Sequence, residues 1–219
     1  MFLTVLNSLN DGFLKTLELF GITLLGAIPL GLLVCLLSMS KLKAVKYITK
    51  VVIWIVRGTP LMLQLLVIYY GPGIIFNNNI WGGGSDGRFA AVSIAFVLNY
   101  ACYFAEIYRG GLESIDASQY EAGKVLGMNR TQIFFRIILL QVIKRIVPPI
   151  SNEIITLVKD TSLARIIAVY EVIWNGQAFI KSQGLIWPLF FTGVYYLLFS
   201  GILTVLLSRL EKKLSYFEG

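Results

Sequence analysis

The sequence predicts an all-α integral membrane protein with about five transmembrane helices. Hydrophobic residues make up 57% of its 219 positions, and its mean hydropathy of +0.75 is far above that of a soluble domain. Five segments are candidate spans, since crossing a bilayer takes about 20 helical residues, although the fourth is short. Lysine and arginine gather between these segments, where they indicate membrane topology and not a nucleic-acid surface. We therefore treat residues 1–219 as a single transmembrane domain.

The first three predicted spans differ in how polar they are. Residues 17–40 contain only one charged residue, and lipid tolerates their glycines and proline. Residues 51–75 carry Arg57 and Pro60 in their first half. Residues 89–108 follow a glycine-rich polar loop that is poor in lysine and arginine.

The second half of the chain alternates between polar and apolar segments. Residues 109–145 form a long polar segment with a basic, amphipathic second part. The fourth span, 146–163, is short and is interrupted by charged residues. These are Glu153, Lys159 and Asp160. The fifth span, 185–208, is apolar and aromatic, and a charged tail that includes Glu218 follows it.

The distribution of basic residues predicts the orientation of the spans. Thirteen lysines and arginines fall in the segments 41–50 and 109–145 and in the tail, whereas five fall on the opposite side. Positive residues favour the cytoplasm. The N-terminus is therefore expected outside, and the 109–145 loop and the C-terminus inside, in the plasma or inner membrane of a bacterium or archaeon.

Two short helices are predicted within the cytoplasmic loop. Asp116 or Ser118 could cap the first helix, because their side-chain oxygens can accept from free backbone N–H groups. Gly127 allows this helix to end in a sharp turn. Asn129 or Thr131 could cap the second helix. Such a loop could insert into a soluble partner, or it could simply fold onto its own protein.

Several segments match motifs of one family. They are Arg57-Gly58-Thr59-Pro60-Leu61 with Gln64, Ala105-Glu106-Ile107, Arg109-Gly110-Gly111, Glu121-Ala122 with Gly127, Pro148-Pro149 with Asn152, and Lys159-Asp160-Thr161-Ser162-Leu163. Through them the chain resembles permease subunits of type I ABC importers for polar amino acids, and the Glu121 segment resembles their EAA coupling loop. It departs from the pattern at Gly123, the third EAA position, and at Leu140, where a proline is usual.

The resemblance implies that this chain is one subunit of a multisubunit transporter. Two permease subunits would pair in the membrane lipid, either two copies of this chain or this chain with a sibling. Cytoplasmic ATPase subunits would dock on the EAA loops at Glu121, Ala122, Gly123 and Gly127. An external solute-binding protein would deliver the amino acid. The chain would bind no cofactor itself, since ATP and magnesium belong to the ATPase, and it has no phosphate-binding G-x-x-x-x-G-K-[ST] motif.

Two carboxylates in the fourth span are candidate substrate contacts. Glu153 and Asp160 are seven residues apart, which places them on nearly the same face of a helix. A carboxylate inside a membrane usually faces a cavity or the interior of a bundle. We expect the pair to bind the cationic group of an amino acid. An alternative for Asp160 is to cap a helix or to pair with Lys159 or Arg57.

Other polar residues could line the same cavity. Arg57 could bind a substrate carboxylate, but a structural ion pair with Glu106 or Asp160 is favoured. Asn99 and Tyr103 are neighbours on one helix face and are candidate substrate contacts, with helix–helix hydrogen bonds as the alternative. Thr161 is a possible residue of the pathway.

Three other functional classes compete with a permease. A secondary transporter could use the two carboxylates as an ion site, but five spans without a repeat do not favour it. A membrane enzyme or a metal site is not predicted, because the sequence has no histidine and only two cysteines, both in apolar segments. An interaction scaffold, the third class, would transport no substrate when reconstituted with its partners. The expected substrate is arginine, lysine or histidine, and glutamine or another polar amino acid is the alternative.

Overall fold

A computed structural model describes residues 1–214 of the chain, and every regular element in that range is helical. The last five residues, with Glu218 of the predicted tail, lie outside the described residues. The α-helices are α1 (Phe2–Ser38), α2 (Lys43–Gly58), α3 (Leu61–Phe76), α4 (Ser85–Glu113), α5 (Ala117–Val125), α6 (Arg130–Ile133), α7 (Leu139–Asp160), α8 (Val172–Gln183) and α9 (Trp187–Leu214). A π-helical turn (Phe134–Ile138) precedes α7, and a 3₁₀-helix (Thr161–Ile167) follows it.

Helix α1 begins well before the predicted span 17–40. Its 37 residues correspond to about 55 Å of helix, more than a bilayer core of about 30 Å requires. The additional N-terminal turns are held by packing, because Val5 and Leu9 are buried together with Val172 of α8. The charged residues before the apolar run therefore continue the helix.

The predicted second span, 51–75, is not one straight helix. Helices α2 and α3 meet at an angle of 107°. Pro60 has no backbone N–H to continue the helix, and it forces Thr59 before it into an extended conformation (φ −119°, ψ 146°). The sequence contained the signal for this break, but the prediction of a single span did not use it.

Length and composition identify fewer spans than the sequence prediction did. Three described helices, α1, α4 and α9, are long and apolar enough to cross a membrane, and the bent α2–α3 pair makes up to four. The fourth predicted span, 146–163, falls on α7 and the start of the 3₁₀-helix, where charged residues interrupt the apolar sequence. A total of five spans therefore stays a prediction.

Helices α1 and α4 form the centre of the structure. The core contains buried residues of α4, among them Phe96, Tyr100 and Phe104, packed against Leu19 and Ala27 of α1. The two helices approach closely at Gly31, where an added Cβ would lie only 2.8 Å from the Cβ of Phe104. Small residues at helix contacts allow this close packing in membrane proteins.

Candidate functional site

A cavity of about 570 Å³ lies where the α2–α3 bend faces α4 and α7. Five of the predicted site residues line it. They are Arg57, Asn99, Tyr103, Glu153 and Asp160. A separate cavity of about 520 Å³ near Lys15 and Tyr170 contains none of them. The polar residues scattered over three predicted spans thus come together in one place.

The side chain of Gln64 holds the α2–α3 bend together. Its Nε2 lies 2.7 Å from the carbonyl oxygen of Val56, 3.1 Å from that of Thr59, and 2.9 Å from the hydroxyl of Thr59. These contacts satisfy acceptors that the broken helix leaves without partners. The Oε1 of Gln64 accepts a hydrogen bond of 3.0 Å from Asn99 Nδ2 on α4. The helix–helix hydrogen bond considered for Asn99 is therefore present, and Asn99 also lines the cavity.

The two carboxylates of α7 have different surroundings. Asp160 accepts a hydrogen bond of 2.7 Å from the hydroxyl of Tyr100 on α4. It makes no side-chain capping bond to the following 3₁₀-helix, and within residues 1–214 it forms no ion pair with Lys159 or Arg57. Half-buried Glu153 has no hydrogen bond or ion pair to any residue of the described part. Its oxygens are thus available to a ligand in the cavity.

Sequence reasoning missed Tyr100, although it lies next to Asn99 in the sequence. The ring is buried, with 2% of its surface exposed, and its hydroxyl reaches Asp160 sixty residues further along the chain. A tyrosine in an apolar span gives no sequence signal of such a partner, because a lipid-facing or core tyrosine has the same local pattern.

Arg57 pairs with Glu106, one of the two partners expected for it. The distance from Arg57 Nη1 to Glu106 Oε2 is 3.5 Å, and the guanidinium lies 5.2 Å from the centroid of the Tyr103 ring. Glu106 is held more tightly by Arg109, whose Nη2 lies 2.6 Å from Glu106 Oε2 and whose Nε lies 3.1 Å from Oε1. Arg109 also forms an ion pair with Glu113. The two arginines and two glutamates balance one another in charge.

Thr161 does not line the cavity, although it directly follows Asp160. It is buried, donates to the carbonyl oxygen of Val158 at 2.6 Å, and lies 3.4 Å from the hydroxyl of Tyr196 on α9. Tyr196 also donates to Glu171 Oε2 at 3.2 Å. Thr161 thus connects the end of α7 to a second polar group of residues.

Glu171 is the centre of that second group, and sequence reasoning did not select it. Only 1% of its surface is exposed. Its carboxylate caps α8 by accepting from the backbone N–H groups of Ile173 at 2.8 Å and Trp174 at 2.7 Å. A single acidic residue in the otherwise apolar stretch 166–174 was the available signal.

The loop 109–145, which is predicted to be cytoplasmic, contains the two short helices that the sequence predicted. Asp116 caps α5, and its carboxylate accepts from the backbone N–H of Ser118 at 2.8 Å. This hydrogen bond holds the pKa of the Asp116 carboxyl below its usual range. Asn129 caps α6 through a reciprocal pair of bonds with Gln132. Gly127 has φ +72°, the left-handed conformation that glycine adopts at helix ends.

The residues of α5 that match the EAA motif face in two directions. Gly123 is buried, and a Cβ at this position would lie 2.7 Å from Cγ1 of Ile133, so the small residue allows α5 to pack on α6. Glu121 and Ala122 are exposed. The apolar side chains of Val125 and Leu126 are 87% and 75% exposed. The outer face of α5 therefore offers a carboxylate and an apolar end that residues 1–214 leave uncovered.

Comparison with known proteins identifies a family for the chain. Residues 27–216 match the model of the binding-protein-dependent transport system inner membrane component. The arginine ABC transporter permease protein ArtM of Haemophilus influenzae is 32% identical over 100% of this chain and 97% of that protein. The octopine transport system permease protein OccM of Rhizobium radiobacter is 39% identical over 71% of this chain, but the match spans only 64% of that permease.

A solved structure has the same fold over nearly the whole chain. It is described as a crystal structure of an amino acid ABC transporter with histidines. The superposition gives a TM-score of 0.86 at 28% sequence identity, and it covers 97% of this chain and 96% of the other.

Proposed function

Because the chain belongs to the family of binding-protein-dependent transport system inner membrane components, we propose that it forms the membrane pathway of an ATP-driven importer for cationic amino acids. The observation that supports this most strongly is the pair of carboxylates, Glu153 and Asp160, in one cavity. The relative named for arginine transport agrees with a substrate of this class.

The charge of the cavity favours a cation. Arg57 is the one basic residue among those lining it, and Glu106 balances its charge from outside the cavity lining. Glu153 and Asp160 then leave an excess of negative charge in a half-buried space, where charge interactions are stronger than in water. A guanidinium, ammonium or imidazolium group could bind between them, with Asn99 and Tyr103 beside it.

The other components of the importer would act from the two membrane faces. An ATPase subunit would bind the exposed face of α5, which presents Glu121 and the apolar Leu126. A second permease subunit, identical or sibling, would complete the pathway in the lipid. A solute-binding protein would deliver the amino acid on the outer side, where the basic-residue distribution predicts the N-terminus. Closure of the ATPases would then expose the cavity alternately to the two sides.

The substitution Glu153→Gln tests this proposal. The complex of the chain with its cognate ATPase and binding protein is reconstituted in liposomes, and ATP hydrolysis is measured with arginine and with glutamine. A hydrogen bond to a charged group contributes about 1.5–3 kcal/mol, so the half-maximal concentration of arginine should rise roughly 10- to 150-fold. The response to glutamine should change much less.

Asp11→Asn is the matched control, because Asp11 is an exposed acid on α1 outside the cavity. Equal losses for arginine and glutamine in Glu153→Gln would refute the charge recognition. Stimulation of the wild type by glutamine alone would retain the importer but exclude a cationic substrate. A chain that assembles with no ATPase would overturn the proposal as a whole.

A further inference from the structure

Arg57 lies between two sets of carboxylates. On one side, Glu106 of α4 approaches it at 3.5 Å. On the other side, Glu153 shares the cavity wall with Arg57. The side chain of Arg57 is 41% exposed, so packing alone does not fix its position. Its direction depends on which acid attracts it more strongly.

The contacts of Arg57 show what keeps it away from the cavity carboxylates. Its ion pair with Glu106 is a single contact, and the Tyr103 ring at 5.2 Å supports it from the cavity side. Glu106 is itself fixed by two closer bonds from Arg109, at 2.6 and 3.1 Å. Arg109 therefore fixes the glutamate, and the glutamate holds the arginine.

Removing Glu106 would change the chemistry of the cavity. A guanidinium without a partner would be attracted to the carboxylates that share its cavity, Glu153 and Asp160, and an arginine fork can bind a carboxylate with two hydrogen bonds. Arg57 would then occupy the groups expected to receive the cationic substrate. It would act as an internal competitor tethered at high effective concentration.

We propose that Glu106 is a positioning residue that withholds Arg57 from Glu153 and Asp160, and that it thereby sets the preference of the cavity for a cationic amino acid. This inference rests on the proposed function. It assigns to Glu106 an effect on substrate selection although Glu106 does not line the cavity.

Glu106→Gln in the reconstituted complex tests the proposal. The half-maximal arginine concentration for stimulated ATP hydrolysis should rise about tenfold, equivalent to roughly 1.4 kcal/mol. The half-maximal concentration for glutamine should stay within about twofold, since a neutral side chain does not need both carboxylates. Glu113→Gln is the matched control, because Glu113 pairs with Arg109 but not with Arg57.

A double-mutant cycle separates this role from a merely structural one. In an Arg57→Gln background, adding Glu106→Gln should cause no further change in the half-maximal arginine concentration for stimulated ATP hydrolysis. The same loss in both backgrounds would overturn the proposal, because Glu106 would then act without Arg57. If Glu106→Gln alone does not assemble, the Arg57→Gln and double variants still decide the question, because a loss on adding Glu106→Gln to Arg57→Gln would overturn the proposal.

The wild-type complex distinguishes failure of the proposed function from failure of the role assigned to Glu106. If arginine does not stimulate it, the proposed function fails. If arginine does stimulate it and Glu106→Gln leaves the half-maximal concentration unchanged, only the role of Glu106 is overturned. Glu106→Asp keeps the negative charge, so its half-maximal arginine concentration should remain close to that of the wild type.

Discussion

Replacing Gly31 by alanine should weaken the contact between α1 and α4. The added Cβ would lie 2.8 Å from the Cβ of Phe104 and 3.0 Å from the carbonyl oxygen of Ala101. The first distance is about 0.6 Å short of the 3.4 Å at which ordinary contact begins. Both facing atoms belong to or adjoin the backbone of α4, so a side-chain rotation cannot relieve the clash. Overpacking of this kind costs about 1–3 kcal/mol.

Gly21 on the same helix provides the control. Nothing lies within 4 Å of a Cβ at that position. Both alanines gain the same helix propensity of roughly 1 kcal/mol over glycine, so the difference between the variants isolates the clash. The free energy of unfolding is measured by titration with sodium dodecyl sulfate in mixed micelles, followed by circular dichroism. We expect Gly31→Ala to be less stable than Gly21→Ala by about 1–3 kcal/mol. Equal stability of the two variants would refute the close approach of α1 and α4.

Three further changes test other parts of the structure. Gly127→Val should strain the left-handed turn by roughly 1–2 kcal/mol and reduce co-purification of the ATPase, whereas Gly127→Asn should retain it. Glu171→Ala should leave the capped N–H groups of α8 without acceptors and lower the unfolding free energy by about 1–3 kcal/mol in the same micelle titration. The Asp116 cap has a lowered pKa, so its stabilisation of α5 is complete above the ordinary value of 3.8 and is lost as the pH falls through the lower folded value. Faster hydrogen exchange of α5 in the wild type than in Asp116→Asn at such acidic pH is the expected result.

Local features were predicted best from the sequence. The caps Asp116 and Asn129 and the turn at Gly127 depend on a few neighbouring residues, and the structure has all three. The family assignment from the motifs is confirmed. Such motifs can be recognised in the sequence without knowing how the segments pack together. The helix–helix bond of Asn99 was anticipated as an alternative, but its partner was not.

Long-range contacts were not predictable in the same way. Gln64 stabilises the break at Pro60 by donating hydrogen bonds to the freed carbonyl groups, and no local rule pairs the two residues. The bond between Tyr100 and Asp160 likewise depends on how α4 meets α7. Buried Glu171 was overlooked because its isolation in an apolar segment could equally mark an exposed charge.

One side-chain hydrogen bond and one ion pair join the bent segment α2–α3 to α4, in addition to its apolar packing, and they limit how the segment can move. Gln64 binds Asn99, and Arg57 binds Glu106. Asn99 and Glu106 are seven residues apart, about 10.5 Å along one side of α4. Two attachment points at different heights fix both the position of the segment along α4 and its tilt relative to α4. Sliding along α4, or tilting away from it, would break at least one of them. The part of the cavity wall that contains Arg57 is therefore held at a set position along α4.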